Sequence, residues 1–365
     1  MQLPSFEMLN AAAGIVRTVM PPTPEYTWPL LNERAGAEVW VKHENHSPLG
    51  AFKIRSALVY LHALLAGNAG LEGVVAATRG NFGQAVAFAA RRFGVKATVV
   101  VPFGNSPDKN RAMLGLGVEL IEHGHDFQEA SEFAERFARE RGYHHMPSFH
   151  ELLVRGTGTY ALEFLRGAPE MDTVYIPIGL GSSICGMIAA RAALGLKTPI
   201  VGVVAAASPA YALSFRERRP VSHPAETQLA DGLACRMPNP EAVAVILSGV
   251  ERIVQVSEDE IAAAMVALFD DAHNVAEGAG AAALAAILQE REHVRGKRVG
   301  MLLSGGNVDR GVFARVLQAD DAKRSSAPPL EIRANAPDRL AVDSKPIPTG
   351  LPPACCSSTA ASIPE

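Results

Sequence analysis

Short, largely apolar runs recur along the chain at Val39 to His43, Val74 to Thr78, Ala97 to Val101, Glu119 to Glu122, Val174 to Ile178, Ile200 to Val204 and Val299 to Leu303. Each has the length of a strand, and the uninterrupted ones read as buried. Stretches of helical periodicity such as Gln84 to Phe93 lie between them. This alternation predicts an α/β fold, with parallel sheets covered by helices. From Asp320 onward the texture changes to Pro, Ser and Ala without sustained periodicity, which predicts a disordered tail over 320–365.

Composition narrows the function classes. A chain of 365 residues with 48% hydrophobic content can bury one large core or two smaller ones. Its 34 basic and 38 acidic residues leave a net charge of -4, which gives no footing for nucleic acid or a membrane surface. No apolar stretch is long enough to span a bilayer, and MQLPSFEMLN lacks the character of a signal peptide, so the expected compartment is the cytoplasm. Cys185, Cys235, Cys355 and Cys356 have neither CxxC nor Cys/His spacing, so no zinc or redox pair is expected. The pairs His123/His125 and His144/His145 lack matching carboxylates and are read as loop and surface residues rather than metal ligands.

Three segments carry candidate chemistry. In VKHENHSPLGAFKIRSALVYL, Lys53 stands where a Pro/Gly-containing loop gives way to an amphipathic helix. The positive end of a helix and apolar packing by Phe52 both disfavour an ammonium there, so Lys53 should be a better nucleophile than a surface lysine. A lone lysine at such a place is ordinarily solvated, with its stem along the helix. Two other loops weigh against that here. TRGNFG, between the run ending at Ala77 and the helix from Gln84, and GLGSS, between the run ending at Ile178 and a helix, are strand-to-helix turns that aim free backbone N–H groups at one spot. Gly179 and Gly181 permit close approach of a phosphate, and Ser182 and Ser183 add hydroxyl donors. A dinucleotide reading fails because the third glycine of GxGxxG would fall on Ile184, and no acid follows the strand Ile200 to Val204. A compact phosphate-bearing cofactor fits better.

From about Pro21 to Leu317 these segments resemble the serine/threonine dehydratase branch of the fold-type II pyridoxal-phosphate enzymes. KHENHSPLGAFKIR corresponds to that family's lysine segment, TRGNFGQ to its SxGNHxQ loop and Gly179, Leu180, Gly181 and Ser182, followed by Ser183, to its phosphate loop. DGLA at Asp231 to Ala234 and SGGN at Ser304 to Asn307 follow in family order. The resemblance implies a tryptophan synthase β-like fold of two three-layer, parallel-sheet domains. A small domain over 73–147 is then inserted in a large one made of 1–72 and 148–319, and the expected assembly is a homodimer. It also implies that pyridoxal 5'-phosphate is bound by Lys53, Phe52, Asn81, the loop Gly179 to Ser183 and Ser304. Thr78, Arg79, Gly80, Asn81 and Phe82 would meet the substrate, with their backbone on its carboxylate. Ser304 would face the pyridine nitrogen as a neutral hydroxyl, which weakens the electron sink and favours β-elimination.

The match has three departures. Arg79 stands where racemase-like members carry an acid-base serine, and a guanidinium cannot donate a proton at neutral pH, so racemization is not expected. Phe82 replaces the usual histidine. Val204, Ala205 and Ala206 stand where cation-activated members carry an acid, so no metal site is expected. The implied reaction converts a 3-hydroxy amino acid, of the serine and threonine type and extending to hydroxyaspartate or phenylserine, to a 2-keto acid and ammonia, with Lys53 as the base. The alternatives are a β-replacement enzyme of the same fold, similar to cysteine or threonine synthase, and a non-catalytic binding protein.

Overall fold

The structure, a computed structural model, describes residues 1–326. The chain opens with α1 (Phe6–Arg17), β1 (Glu25–Thr27), α2 (Pro29–Ala35), β2 (Glu38–His43) and α3 (Lys53–Gly67). Next come β3 (Gly73–Ala77), α4 (Asn81–Phe93), β4 (Lys96–Val101), α5 (Pro107–Gly115), β5 (Glu119–Glu122), α6 (Phe127–Arg141) and β6 (His144–His145). The rest comprises α7 (Glu151–Gly167), β7 (Thr173–Pro177), α8 (Ser182–Ala193), β8 (Ile200–Ala205), α9 (Ala210–Glu217), α10 (Pro240–Gly249) and β9 (Arg252–Val256). Helices α11 (Glu258–Ala272), α12 (Gly278–Gln289) and α13 (Arg291–Val294), strand β10 (Arg298–Leu303) and α14 (Arg310–Ser326) complete it.

The strands form two sheets. One has six strands in the order β1-β2-β10-β7-β8-β9, all parallel except β1, which runs antiparallel to β2. The other has four parallel strands in the order β5-β4-β3-β6, drawn from the middle of the chain. Both faces of the larger sheet are covered. Val201, Val203 and Ala205 of β8 pack with α11 and α12, while Ile200 and Val204 pack on the side of α7, α8 and α10. Burial on two faces is why these strands read as continuous apolar runs rather than alternating ones.

The start of α3 is embedded, not amphipathic as the sequence suggested: every residue from Ile54 to Leu61 is buried. The charged member of that run, Arg55, is fully buried and held in an ionic cluster. Its guanidinium pairs with Glu44 at 2.8 Å and Glu163 at 2.7 Å, and Glu163 also meets the buried Lys42 at 3.0 Å. The cluster ties α3 to β2 and α7 immediately beneath Lys53.

Two other expectations are corrected. His144 and His145 are half-buried strand residues rather than loop and surface: they pair with Val74 and Val75, and His144 Nε2 lies 2.9 Å from the Tyr60 hydroxyl. His123 and His125 do lie in the loop after β5, where His123 stacks on Phe133. Finally, α14 continues past Asp320 to Ser326, so the tail does not begin at Asp320. Phe313 and Val316 anchor that helix against the core beside α11 and α12, and it propagates from there. The rest of the predicted tail, with Cys355 and Cys356, lies outside the described residues.

Candidate active site

Lys53 is the first residue of α3, and its position is set by a strap between two loops. Phe52 N–H donates to Ser304 O at 3.1 Å, Ala51 and Gly305 form a β-bridge, and Gly306 N–H donates to Gly50 O at 2.9 Å. Ser304 follows β10 directly, so the lysine loop and the end of that strand are in fixed register. The Lys53 amine is buried, 4.9 Å from the centroid of the Phe52 ring and 5.8 Å from that of Phe82, with Ser182 Oγ at 3.5 Å. No carboxylate pairs with it among the described residues, and burial alone lowers its pKa to about 8.

The glycine loop joins β7 to α8. A Cβ on Gly179 would lie 2.3 Å from Gly232 O, and Gly181, at φ +98°, would bring one to 2.8 Å from Ala242 Cβ. Only glycine fits at either position. Helix α8 has no side-chain cap, so its first-turn N–H groups are left for a ligand at its positive end. The two serines differ in use: Ser183 Oγ is 3.0 Å from the Tyr160 hydroxyl, whereas Ser182 Oγ faces Lys53.

The third loop joins β3 to α4, which begins at Asn81, three residues earlier than its periodicity suggested. Thr78 Oγ1 accepts from Gly80 N–H at 3.0 Å and Gly83 N–H at 3.4 Å, which shapes the turn. With the Gly83 N–H taken by Thr78, the N–H groups of Asn81 and Phe82 are the ones presented at the start of α4. The Asn81 amide is oriented from both ends: Oδ1 accepts from Asn307 Nδ2 at 2.8 Å and Nδ2 donates to Glu277 Oε1 at 2.6 Å, with one N–H to spare. Arg79 is half-buried and makes no hydrogen bond or ion pair among the described residues.

A single cavity is lined by all the residues singled out in the sequence: Phe52, Lys53, Thr78 to Phe82, Gly179 to Ser183 and Ser304. Two ionizable residues lining it, Lys109 and Glu277, escaped the sequence reading, and Asp231 was read only as the start of the DGLA segment. Lys109 Nζ reaches Asp231 Oδ2 at 2.6 Å and Glu277 Oε2 at 3.7 Å. Glu277 is buried, its Oε2 accepts no hydrogen bond among the described residues, and its pKa is raised to about 7. Burial is the main cause, with Asp231 adding to it and Lys109 opposing. The available signal was an acid opening the apolar helix GAGAAALAAIL, where a carboxylate has no polar surroundings. No cluster of three or more His, Cys, Asp or Glu suited to a metal occurs among the described residues, and none of their helices is long and apolar enough to cross a membrane.

A buried, unpaired amine facing an uncapped helix N-terminus and a cradle that only glycine can line fits a phosphate-bearing aldehyde. Comparisons with known proteins agree. The family described as pyridoxal-phosphate dependent enzyme matches residues 16–305. The L-threonine ammonia-lyase of Thermotoga maritima is 35% identical over 289 residues, 79% of this chain and 72% of that protein. The L-threo-3-hydroxyaspartate ammonia-lyase of Saccharomyces cerevisiae is 30% identical over 322 residues, 88% of this chain and 98% of that one. The processed form of threonine deaminase isoform 2 from Solanum lycopersicum superposes with a TM-score of 0.80 at 27% identity, covering 87% of this chain and 88% of its own. The chain belongs to the pyridoxal-phosphate dependent enzymes, in their serine/threonine dehydratase-like fold-type II branch, and pyridoxal phosphate is its cofactor.

Proposed function

We propose that the protein is a dehydratase of 3-hydroxy amino acids, releasing water and then ammonia to leave a 2-keto acid. The observation that carries this reading is the buried amine of Lys53, without a carboxylate partner and lowered to about 8, beside the glycine cradle. When bound, the cofactor supplies an electron sink for the pair left by the Cα proton.

The chain's own residues do the rest. The Lys53 amine would hold the cofactor and would take the Cα proton at Nζ. The N–H groups from Gly179 to Ser183 would hold its phosphate, and the spare N–H of Asn81 would be available to its ring hydroxyl. Ser304 would offer the ring a hydroxyl rather than a carboxylate, which favours elimination over transamination. The backbone at Thr78 to Phe82 holds the substrate carboxylate. On this reading 1–72 and 148–319 form the large, cofactor-bearing domain, and 73–147 a smaller one that closes over the substrate and excludes water. The released enamine tautomerizes and hydrolyses, so the water lost in elimination is regained and the balance is amino acid to keto acid plus ammonia.

The test is keto-acid and ammonia release from a panel of 3-hydroxy amino acids, with one product of each per substrate. Consumption of sulfide alongside serine, with cysteine formed instead of pyruvate, would overturn it in favour of β-replacement.

A further inference from the structure

We infer that Arg79 equips this pocket for a second carboxylate on the substrate, so that 3-hydroxyaspartate is preferred over serine and threonine. The inference rests on the dehydratase reading and deepens it. Arg79 lines the same cavity as Lys53 and has no hydrogen-bond or ion-pair partner among the described residues. Apart from Lys53, the cations the fold embeds are paired with carboxylates. Arg55 has Glu44 and Glu163, Lys42 has Glu25 and Glu163, and Lys109 has Asp231 and Glu277.

A half-buried guanidinium that the protein leaves unpaired has lost part of its hydration without recompense. A ligand carboxylate can supply that recompense through two parallel N–H···O bonds. The position suits it: Arg79 immediately precedes Gly80 and the first turn of α4, where the substrate's α-carboxylate is proposed to bind. A group on the substrate's Cβ would then lie near Arg79. Nearby acids oppose a dianion less than their number suggests, because Lys109 pairs with Asp231 and offsets its charge, and burial resists ionization of Glu277. Serine and threonine place only hydrogen or methyl there and leave Arg79 unpaired, the situation in which a site discriminates most.

The reaction would break the Cα–H and Cβ–O bonds, with the Cα proton taken up by Lys53 and passed on to the departing hydroxyl, which leaves as water. Hydrolysis of the resulting enamine then gives oxaloacetate and ammonia, with no oxidant or reductant required.

The experiment compares kcat/KM of the holoenzyme on 3-hydroxyaspartate, serine, threonine and phenylserine, in the wild type and in Arg79→Ala, Arg79→Gln and Arg79→Lys. Hydroxyaspartate is expected to be the best substrate. Arg79→Ala and Arg79→Gln should lower its kcat/KM by a factor on the order of 30 to 1000. Serine turnover should fall much less, and Arg79→Lys should recover part of the loss. Calorimetry with tartrate, a dicarboxylate without an amine, reads the contact apart from turnover, and its binding should weaken in Arg79→Ala. A preference for serine, threonine or phenylserine, or equal losses on all four substrates, overturns the inference and leaves the dehydratase reading standing. If no substrate yields a keto acid the dehydratase reading fails, and tartrate binding alone decides the role of Arg79: loss in Arg79→Ala supports it, unchanged binding overturns it.

Discussion

Asn81 Nδ2 donates to Glu277 Oε1 at 2.6 Å across 196 positions of sequence, joining the first turn of α4 to the residue that caps α12. This bond, with the Lys109–Asp231 ion pair, ties the block that carries the four-stranded sheet to the rest of the site. It also holds a carboxyl group whose ionization is costly.

That cost sets a pH dependence. Because Glu277 titrates near 7 when folded but near 4.5 in the unfolded chain, the folded state holds the extra proton between those values. Its contribution to stability is full below about 4.5 and is lost as pH rises through 7. Glu277→Gln should flatten this decline, by an amount on the order of 1–3 kcal/mol given the coupling to Lys109. Denaturant unfolding of both proteins at pH 5 and pH 7.5 measures it, and parallel slopes would refute the assignment.

For Lys53 the prediction concerns cofactor capture. The apoprotein should take up pyridoxal phosphate at a rate that climbs with pH to about 8 and then levels, as the amine loses its proton. A solvated lysine would go on climbing beyond about 10. Lys53→Ala should form no borohydride-trapped adduct and show no turnover; near-normal activity in that variant would end the assignment.

Gly179→Ala should weaken cofactor binding without unfolding the protein. Its Cβ would meet Gly232 O at 2.3 Å, a backbone atom that cannot swing aside. Overpacking of this kind costs about 1–3 kcal/mol, or roughly ten- to hundredfold in affinity. Titration of apoprotein with cofactor reads it directly.

Arg55→Ala should destabilize the fold by about 3–5 kcal/mol, because it strands the buried carboxylates of Glu44 and Glu163. Chemical denaturation measures the loss. Arg34→Ala, at a partly exposed pair with Asp271, provides a control expected to cost less than about 1 kcal/mol.

Chelation should have little effect. Since Val204, Ala205 and Ala206 offer no carboxylate where cation-activated relatives carry one, treatment with EDTA followed by magnesium or calcium should barely change the rate. A tenfold activation, about 1.4 kcal/mol, would reveal a cation site.

The loops were legible because their chemistry is local. Glycines at Gly179 and Gly181, serines beside them, and a lysine at a loop-to-helix junction announce themselves within a few residues. Glu277 and Lys109 did not, since each acquires meaning only from partners far away in sequence. Among the strands, those buried on both faces were visible as apolar runs. The three-residue β1, the two-residue β6 and the mixed β9 (RIVQV) had too little apolar length to register. The end of α14 was hidden because its anchors, Phe313 and Val316, lie upstream of the polar residues that continue the helix.

The strap that joins Phe52 to Ser304 has an evolutionary consequence. Lys53 and Ser304 ride on one hydrogen-bonded ladder end, whereas Arg79 lies in the turn that follows β3 of the other sheet. On the proposed reading, inheritance of the catalytic apparatus and drift in substrate choice are carried by different modules. A lineage could exchange the residue at position 79, and with it the metabolite consumed, while its hold on the cofactor is conserved.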